Sequence, residues 1–387
     1  MKIKVSSGDE MNIHLPSSVE AQAELKMISS AKNFIISPQC SKANFCIVQD
    51  SLLAAYKMTV ENKTVKKELF YNVALYSERT SDYILKKMQH IRQILKKYNK
   101  PVKCLNGRGL ISLILPNDFY YQKNNKADEK EPILKIYKGV IVEGGFDKSV
   151  LGPTSNSIIQ ILNKEYGPDI AMNFIDEVQF ITNNWLLHNS FSIGIEDCIA
   201  KNKEQNEKIN DVIQKCYIEA EGIKETTTHP HIREIKITAS LSKAKDMGFK
   251  IAKDALDPNN NFLSTIKSGS KGDYFNLAQI TALCTQQNIS GKRVVPILNN
   301  GKRTLHHYPL EIKNVELDYE SRGFIASSFI KGLNPRQFFF HTISGREGCS
   351  DKHNVSLTGS CCLWLSKTIS DKQCNLLLIY NYLVTLL

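Results

Sequence analysis

The sequence predicts an α+β fold, in which a mixed region with β structure precedes a mainly helical region. Amphipathic helical patterns cover residues 18–30, 81–97 and 201–256. Runs rich in β-branched and aromatic residues cover residues 33–49 and 107–150 instead. The chain has 387 residues, 42% of them hydrophobic, which is enough material for a large buried core.

The first predicted element is a helix over residues 18–30. Ser17 and Glu20 have the S-x-x-E spacing of a capping box, and apolar residues recur behind them at helical spacing. Residues 8–16 therefore form a loop that leads into this helix.

The following segments alternate in character. Residues 33–49 favour irregular strands around a turn at Ser37-Pro38-Gln39. Residues 81–97 favour a helix with one apolar face and several basic residues elsewhere, and a solvated basic face is favoured over a phosphate contact. Residues 107–150 favour β structure, with "GLISLILP" and "ILKIYKGVIVEGGFDKS" on either side of the polar surface loop "KNNKADEKEP".

Helical patterns dominate from Ser155 onward. Two charge-rich helices are predicted within residues 201–256, and the break at Thr226–Pro230 allows an antiparallel hairpin exposed to solvent. Asn334, Pro335 and Gln337 are a strong helix start, with Asn at the N-cap and Pro at the first helical position. The three phenylalanines that follow are predicted to pack and fix this start.

Charge and cysteine usage restrict the partners and the compartment. A formal net charge of +11 suits a polyanionic partner such as nucleic acid, although proteins without such a partner share it. None of the ten cysteines forms a C-x-x-C pair or a zinc-finger spacing, which favours a reduced, intracellular compartment. The longest apolar run, Leu376–Leu387, is about 12 residues, shorter than the roughly 20 that a membrane helix needs, so we expect a soluble protein.

Asp9 and Glu10 are the candidate metal ligands. Both are hard oxygen donors behind Gly8, whose backbone freedom suits the tight turn of a Mg²⁺ loop. An Asp-Glu pair alone is weak support, because most such pairs lie on solvated surfaces.

Five sequence blocks, which follow one another in a fixed order, add to the weak support from Asp9 and Glu10. They are "GDEMNIHLPSSVEAQAEL", "SPQCSKANFCIVQDSL", "NNWLLHNSFSIGIEDCIA", "SGSKGDYFNLAQITALCTQQNISGKR" and "SRGFIASSFIKGLNPRQFFFHTISGREG". In this order they resemble the largest subunit of multisubunit DNA-dependent RNA polymerases, from the end of the catalytic aspartate motif to the start of the bridge helix. The eukaryotic or large-DNA-virus branch fits better than the bacterial branch.

The resemblance implies a domain organisation. It predicts a mixed pore domain with β structure, then a mainly helical funnel domain, then the start of the bridge helix. The expected segments are a remnant of the metal-binding loop (1–16), pore (17–150), funnel with helical hairpin (151–275), start of the cleft domain and bridge helix (276–348) and a non-homologous tail (349–387).

The resemblance assigns catalytic and metal-binding roles to Asp9 alone. The family motif N-A-D-F-D-G-D-E-M-N uses three aspartates to hold Mg²⁺, but Val5 and Ser7 stand at the first two of these positions. A lone carboxylate does not hold Mg²⁺ against water, because this ion gives up its hydration shell reluctantly. We therefore expect the isolated chain to be inactive.

The implied function is nucleotidyl transfer from nucleoside triphosphates to an RNA 3′ end on a DNA template. Implied partners are the DNA template, the RNA transcript and the second-largest and smaller polymerase subunits, with no membrane, in the nucleus or in a viral cytoplasm or virion. Residues 37–42 would lie near the RNA 3′ end, and residues 201–256 would rim the substrate channel. The alternative is a non-catalytic remnant that binds nucleic acid or polymerase subunits.

Both ends of the resemblance fall inside catalytic motifs. After Gly348 the sequence "CSDKHNVSLTGSCC" replaces the expected continuation of the bridge helix. We therefore expect an internal polymerase segment bounded by an intron, an intein-like insertion or a frameshift, with residues 1–7 and about 351–387 outside the polymerase frame. We also expect the final helix to end before about residue 355, because residues of low helix propensity follow.

Overall fold

A computed structural model describes residues 15–75, 80–124, 132–199, 204–257 and 260–350. The chain divides into two compact units. Unit 1 comprises Met1–Asp197 and Asp257–Asp273, and unit 2 comprises Cys198–Leu256 and Tyr274–Leu387.

Helices account for most of the described chain. They are α1 Val19–Met27, α2 Gln49–Val60, α3 Lys67–Leu75, α4 Ser81–Lys97, α5 Gly107–Ile114, α6 Lys148–Leu151, α7 Ile158–Tyr166, α8 Pro168–His188, α9 Glu204–Thr226, α10 Pro230–Ala255, α11 Asn261–Ser268, α12 Tyr274–Thr281, the single turn α13 Leu298–Gly301, α14 Val315–Ser321 and α15 over residues 335–350. Two 3₁₀ helices lie at Ala31–Phe34 and Ile195–Cys198.

The strands are short and antiparallel. They are β1 Tyr121–Asn124, β2 Pro132–Tyr137, β3 Val140–Gly144, β4 Thr285–Gln286, β5 Asn288–Ile289, β6 Lys292–Arg293 and β7 Phe324–Ile325. Unit 1 holds the sheet β1-β2-β3, and unit 2 holds the pairs β4-β7 and β5-β6. Helices and open antiparallel sheets together confirm the predicted α+β class.

Helix α4 forms over the residues predicted for it. Thr80 caps its start, since the Thr80 hydroxyl accepts a hydrogen bond from the Tyr83 amide at 3.4 Å. Its predicted apolar face is buried. The basic residues are not all solvated, however, because Lys87 is buried and its ammonium donates to the Leu115 carbonyl at 2.7 Å.

The prediction of β structure at the start of residues 107–150 is wrong for "GLISLILP". Gly107–Ile114 is helix α5, capped by Asn106, whose side-chain oxygen accepts from the Gly109 amide at 2.8 Å. Seven of its eight residues are buried. A continuous apolar run has no polar face to reveal its period, so it resembles a buried strand. The β structure lies instead in β1, β2 and β3.

The prediction of strands over residues 33–49 is also wrong, because the described backbone there pairs only through the isolated bridge between Ile36 and Ala43. The capping prediction for α1 is wrong by one residue, since Ser18 is the N-cap and accepts from the Ala21 amide at 3.2 Å. No residue of α1 is buried.

The core of unit 1 is one continuous apolar cluster. It joins α2, α3, α4, α5, α7 and α8 to the inner face of the β1-β2-β3 sheet. Its fully buried large side chains include Phe70, Phe119, Phe146, Leu52 and Leu110. This packing supports the loop at residues 35–47, whose Ile35 and Ala43 belong to the same cluster.

Unit 2 contains the predicted helical hairpin. Helices α9 and α10 pack against each other across the turn at residues 227–229, and Pro230 occupies the start of α10. The hairpin is not exposed along its whole surface, contrary to the prediction. One face packs on the rest of unit 2, as the ring of Tyr217 lies 5.1 Å from that of Tyr319 and 5.4 Å from that of Phe324.

Candidate functional site

The predicted metal ligand Asp9 lies outside the described residues, as do the predicted changes of sequence at residues 1–7 and 351–387. Within residues 15–75, 80–124, 132–199, 204–257 and 260–350, no three His, Cys, Asp or Glu side chains come together to hold a metal ion. The described part of the chain therefore offers two other predicted features, the loop around residues 37–42 and the start of α15.

The loop at residues 35–47 is closed by hydrogen bonds between its own backbone groups. The Ser37 amide donates to the Lys42 carbonyl at 2.8 Å, and the Asn44 amide donates to the Ile35 carbonyl at 2.8 Å. Ser41 turns the chain with a left-handed φ of 54°. Residues 38–42 therefore form an exposed tip on a closed base.

Side chains attach the loop to its surroundings. The Gln160 side chain, on α7, donates to the Ser41 carbonyl at 2.7 Å. The Asn44 side chain donates to the Phe34 carbonyl at 2.9 Å. With Ile35 and Ala43 buried below, these contacts hold the tip in place although its own side chains meet solvent. Gln160 was not predicted, because no motif connects it to a loop 119 residues away.

The tip carries a cation and a thiol. A hydrogen bond from the backbone of Lys42 lowers the pKa of Cys40, and the Ser37 side chain lowers it further. Both groups favour the thiolate by hydrogen bonding to it. The tip therefore presents the exposed residues Lys42 and Gln39 on a backbone that its own hydrogen bonds close.

The start of α15 is the second feature, and its predicted capping box is present. The Gln337 amide donates to the Asn334 side-chain oxygen at 2.8 Å, and the Asn334 amide donates to the Gln337 side-chain oxygen at 3.2 Å. These reciprocal bonds satisfy two amides that a helix start otherwise leaves unpaired.

Glu320 on α14 completes this helix start, and sequence reasoning missed it. Its carboxylate lies 3.2 Å from the Arg336 guanidinium and accepts from the Tyr308 hydroxyl at 3.1 Å. It also accepts from the Gln337 side chain at 3.1 Å. Only the fold brings Glu320 to residues 334–337, so no local spacing could have indicated this role.

The prediction that three phenylalanines fix the helix start holds for one of them. Phe340 is buried, with its ring 6.3 Å from that of Tyr308. Phe338 and Phe339 are 59% and 46% exposed. Consecutive helical residues point in different directions, so a run of three cannot face one core.

Comparison with known proteins adds family matches to this geometry. Residues 34–198 match the family RNA polymerase Rpb1, domain 3, and residues 201–325 match RNA polymerase Rpb1, domain 4. The two matches follow each other along the chain and cover most of it. The chain belongs to the Rpb1 family of RNA polymerase subunits. The resemblance predicted from the five sequence blocks is therefore confirmed.

Two relatives of this Rpb1-family chain come from viruses. One, named as a homologue of the DNA-directed RNA polymerase II subunit RPB1 in Invertebrate iridescent virus 6, is 43% identical over 95% of this chain and 38% of its own length. The other, named as DNA-directed RNA polymerase 008R in Frog virus 3 (isolate Goorha), is 31% identical over 91% of this chain and 25% of its own length. The chain thus spans less than two fifths of either relative.

The segment boundaries predicted from the resemblance, with the non-homologous tail at residues 349–387, stay predictions. Among the described residues, no helix is both long enough and apolar enough to span a bilayer.

Proposed function

We propose that this chain supplies the pore, the funnel and the start of the bridge helix in the largest subunit of a DNA-directed RNA polymerase. In this role it takes part in nucleotidyl transfer from nucleoside triphosphates to the RNA 3′ end on a DNA template. The observation that carries the proposal is the pair of consecutive Rpb1 matches over residues 34–198 and 201–325.

The loop at residues 35–47 is proposed to face the RNA 3′ end. Its exposed tip combines Lys42 and Gln39 with a backbone fixed by the Ser37–Lys42 hydrogen bond and by Gln160. Such a tip contacts a nucleic acid without losing much conformational freedom, because the loop is ordered before contact.

The segment boundaries predicted from the sequence are part of the same proposal. Residues 17–150 are assigned to the pore, 151–275 to the funnel and 276–348 to the start of the cleft domain and bridge helix. Residues 201–256 are proposed to rim the substrate channel with the face of the hairpin that does not pack on the rest of unit 2. DNA, RNA, nucleoside triphosphates and other polymerase subunits are the proposed partners.

Mg²⁺ is the proposed metal, with Asp9 as its ligand in this chain. The described residues do not fit the ion, because they contain no cluster of three candidate ligands. One carboxylate leaves most of the octahedral shell of Mg²⁺ to other donors. No catalytic step is therefore assigned to a described residue through the metal.

The competing proposal is a non-catalytic product that binds nucleic acid or polymerase subunits. Val5 and Ser7, at the positions of two family aspartates, favour this alternative for the chain acting alone. The two proposals differ in whether the chain works within an assembly that makes RNA.

A primed DNA–RNA scaffold tests both proposals by nucleotide incorporation at the RNA 3′ end. The purified chain should incorporate none, whereas a complex isolated from the natural source through a tag on this chain should extend the primer. Extension by the purified chain would overturn the expectation that the isolated chain is inactive. A tagged complex without a second large polymerase subunit and without extension would support the non-catalytic alternative.

The position of the loop is tested in the same complex. RNA carrying a photoreactive base at its 3′ end should crosslink to residues 37–42. Crosslinking that spares these residues, in a complex that still extends RNA, would remove the loop from the proposed site.

A further inference from the structure

A polar cavity in unit 2 has no role in the proposed function. Its volume is about 230 Å³, and it lies beside α13 and α14. Its polar lining includes Lys302, Arg303, Thr304, Asp318 and Arg322. Three of these five side chains are cations, so the composition of the wall favours an anion.

The turn α13 fixes two of the cations. Asn299, Asn300 and Gly301 have φ values of 54°, 58° and 79°, in the left-handed region that Asn and Gly tolerate best. The Ile297 and Leu298 amides donate to the Arg303 carbonyl at 3.1 and 2.9 Å, which closes the turn. Lys302 and Arg303 are therefore presented from a closed backbone loop.

Arg303 carries a donor that lacks a partner. One terminal nitrogen of its guanidinium donates to the His306 and Tyr308 carbonyls at 3.2 and 3.1 Å. Its Nε is buried and meets no acceptor within the described part of the chain. Because Nε is buried, a ligand in the cavity does not reach it. The second terminal nitrogen takes part in neither carbonyl bond and is not buried, so an oxygen-bearing ligand would accept from that group.

The carboxylate that lines the cavity does not cancel its charge. Asp318 is paired with Lys224 of α9 at 2.7 Å. Arg322 donates through Nε to the Val294 carbonyl at 2.6 Å, and its terminal nitrogen lies 3.4 Å from the carboxylate of Glu234. Lys302 is exposed and has no described partner. The cavity thus keeps unneutralised positive charge from Lys302 and Arg303.

We propose that this cavity binds a phosphate group, with Arg303 as the directional donor and Lys302 as a mobile cation. A guanidinium presents N–H groups in a planar fork that matches phosphate oxygens, and an ammonium adds charge without fixed geometry. The volume is several times the roughly 30 Å³ that a water molecule occupies in the liquid, so a phosphate or pyrophosphate group fits.

The phosphate could be a free inorganic anion or part of a nucleotide. Both sources present the same oxygens to Arg303 and Lys302. They differ in whether a nucleoside must also be accommodated outside the cavity mouth.

Isothermal titration calorimetry of the full chain with inorganic pyrophosphate, at constant ionic strength, tests the site. We expect saturable binding that weakens about tenfold in Arg303→Gln, a loss typical of one charge-assisted contact. Lys302→Gln should weaken it about threefold, and this variant breaks no hydrogen bond of the described fold. Lys236→Gln removes one exposed positive charge from α10 that is not part of the cavity lining, and it should leave the affinity unchanged.

Circular dichroism of each variant separates loss of the site from loss of the fold. If Arg303→Gln unfolds, the comparison of Lys302→Gln with Lys236→Gln still decides. No binding by the natural chain, or equal weakening by these two lysine variants, would overturn the proposal.

Competition then assigns the source of the phosphate. Displacement of pyrophosphate by GTP, but not by guanosine, assigns a nucleotide, and failure of GTP to displace it assigns the free anion. The experiment needs no RNA synthesis, so its failure would leave the polymerase proposal standing.

Discussion

Helices α5 and α9 each contain glycine, but Gly107 of α5 and Gly222 of α9 lie in opposite environments. In α5 the glycines allow close packing, since a Cβ on Gly107 would lie 2.2 Å from the Met58 carbonyl oxygen. In α9 a Cβ on Gly222 would meet no atom within 4 Å. The difference shows that a helical glycine is needed where another backbone segment packs closely against it. Where the position faces solvent, glycine is only tolerated.

The largest expected difference between the two helices follows from removing an apolar side chain. Leu110→Ala in α5 should lower the free energy of unfolding by about 2–5 kcal/mol, because Leu110 is fully buried and the change leaves a cavity. Ile218→Ala in α9 should change it by less than about 0.5 kcal/mol, because Ile218 is 72% exposed. Urea denaturation followed by circular dichroism measures both, and equal losses would break the comparison.

The same substitution at the two glycines should have opposite signs. Gly107→Ala should destabilise the protein by about 1–3 kcal/mol, since backbone must move to admit the methyl group. Gly222→Ala should stabilise it by about 0.5–1 kcal/mol, because Ala loses less conformational entropy in an open helix. Melting temperatures that fall in both variants would contradict this assignment of Gly222.

The N-cap of α5 is expected to matter less than its core. Asn106→Ala should cost about 1–2 kcal/mol, because it removes the acceptor for the Gly109 amide at 2.8 Å. Asn106→Asp keeps that acceptor and is the matched control. The Asn106 side-chain amide also donates to the Lys103 carbonyl at 2.8 Å, a bond that both variants lose. If Asn106→Asp loses as much stability as Asn106→Ala, that donor bond and not the cap accounts for the effect.

The smallest effect is expected from an ion pair between α9 and α10. The Lys243 ammonium, at 2.8 Å, and the Ser240 hydroxyl hold the pKa of Glu219 below its usual value. This contribution to stability is present above the ordinary glutamate pKa of about 4.3 and is lost as the pH falls through the lowered pKa. Because both side chains are largely exposed, the effect is small.

Glu219→Gln isolates that contribution. The stability difference between natural chain and variant should be present at pH 7 and disappear in acid. Glu207→Gln, at an exposed position on the same helix, should show no such trend. A difference that grows on acidification would reverse the sign and refute the pairing.

The contrast between the helices also explains what the sequence could predict. In α9 and α10, apolar residues alternate with charged ones at helical spacing, so the hairpin was predictable although its packing on Tyr319 was not. In α5 burial on every side removed the polar face that reveals the period. Helix α4 lies between these cases and was predicted over its full extent.

In the candidate site, contacts between residues close in sequence were predictable, and contacts between distant residues were not. The capping box of Asn334 and Gln337 is local in sequence, and it was predicted. Glu320 and Gln160 act on distant residues, and the cavity beside Arg303 needs the turn at residues 299–301 together with α14. Such contacts depend on tertiary packing, which periodicity and spacing do not encode. The role of Asp9 stays a prediction.

The attachment of α15 at its first turn has a mechanical consequence. The helix is described over 16 residues, a length of about 24 Å at 1.5 Å per residue. It is held near both of its described ends. The Glu320 carboxylate pairs with Arg336 at the first turn, and the Glu347 carboxylate accepts from the Ser290 amide at 2.8 Å close to the last described residue. The helix therefore cannot tilt about its first turn without breaking the contact at Glu347, so the two contacts together fix its direction.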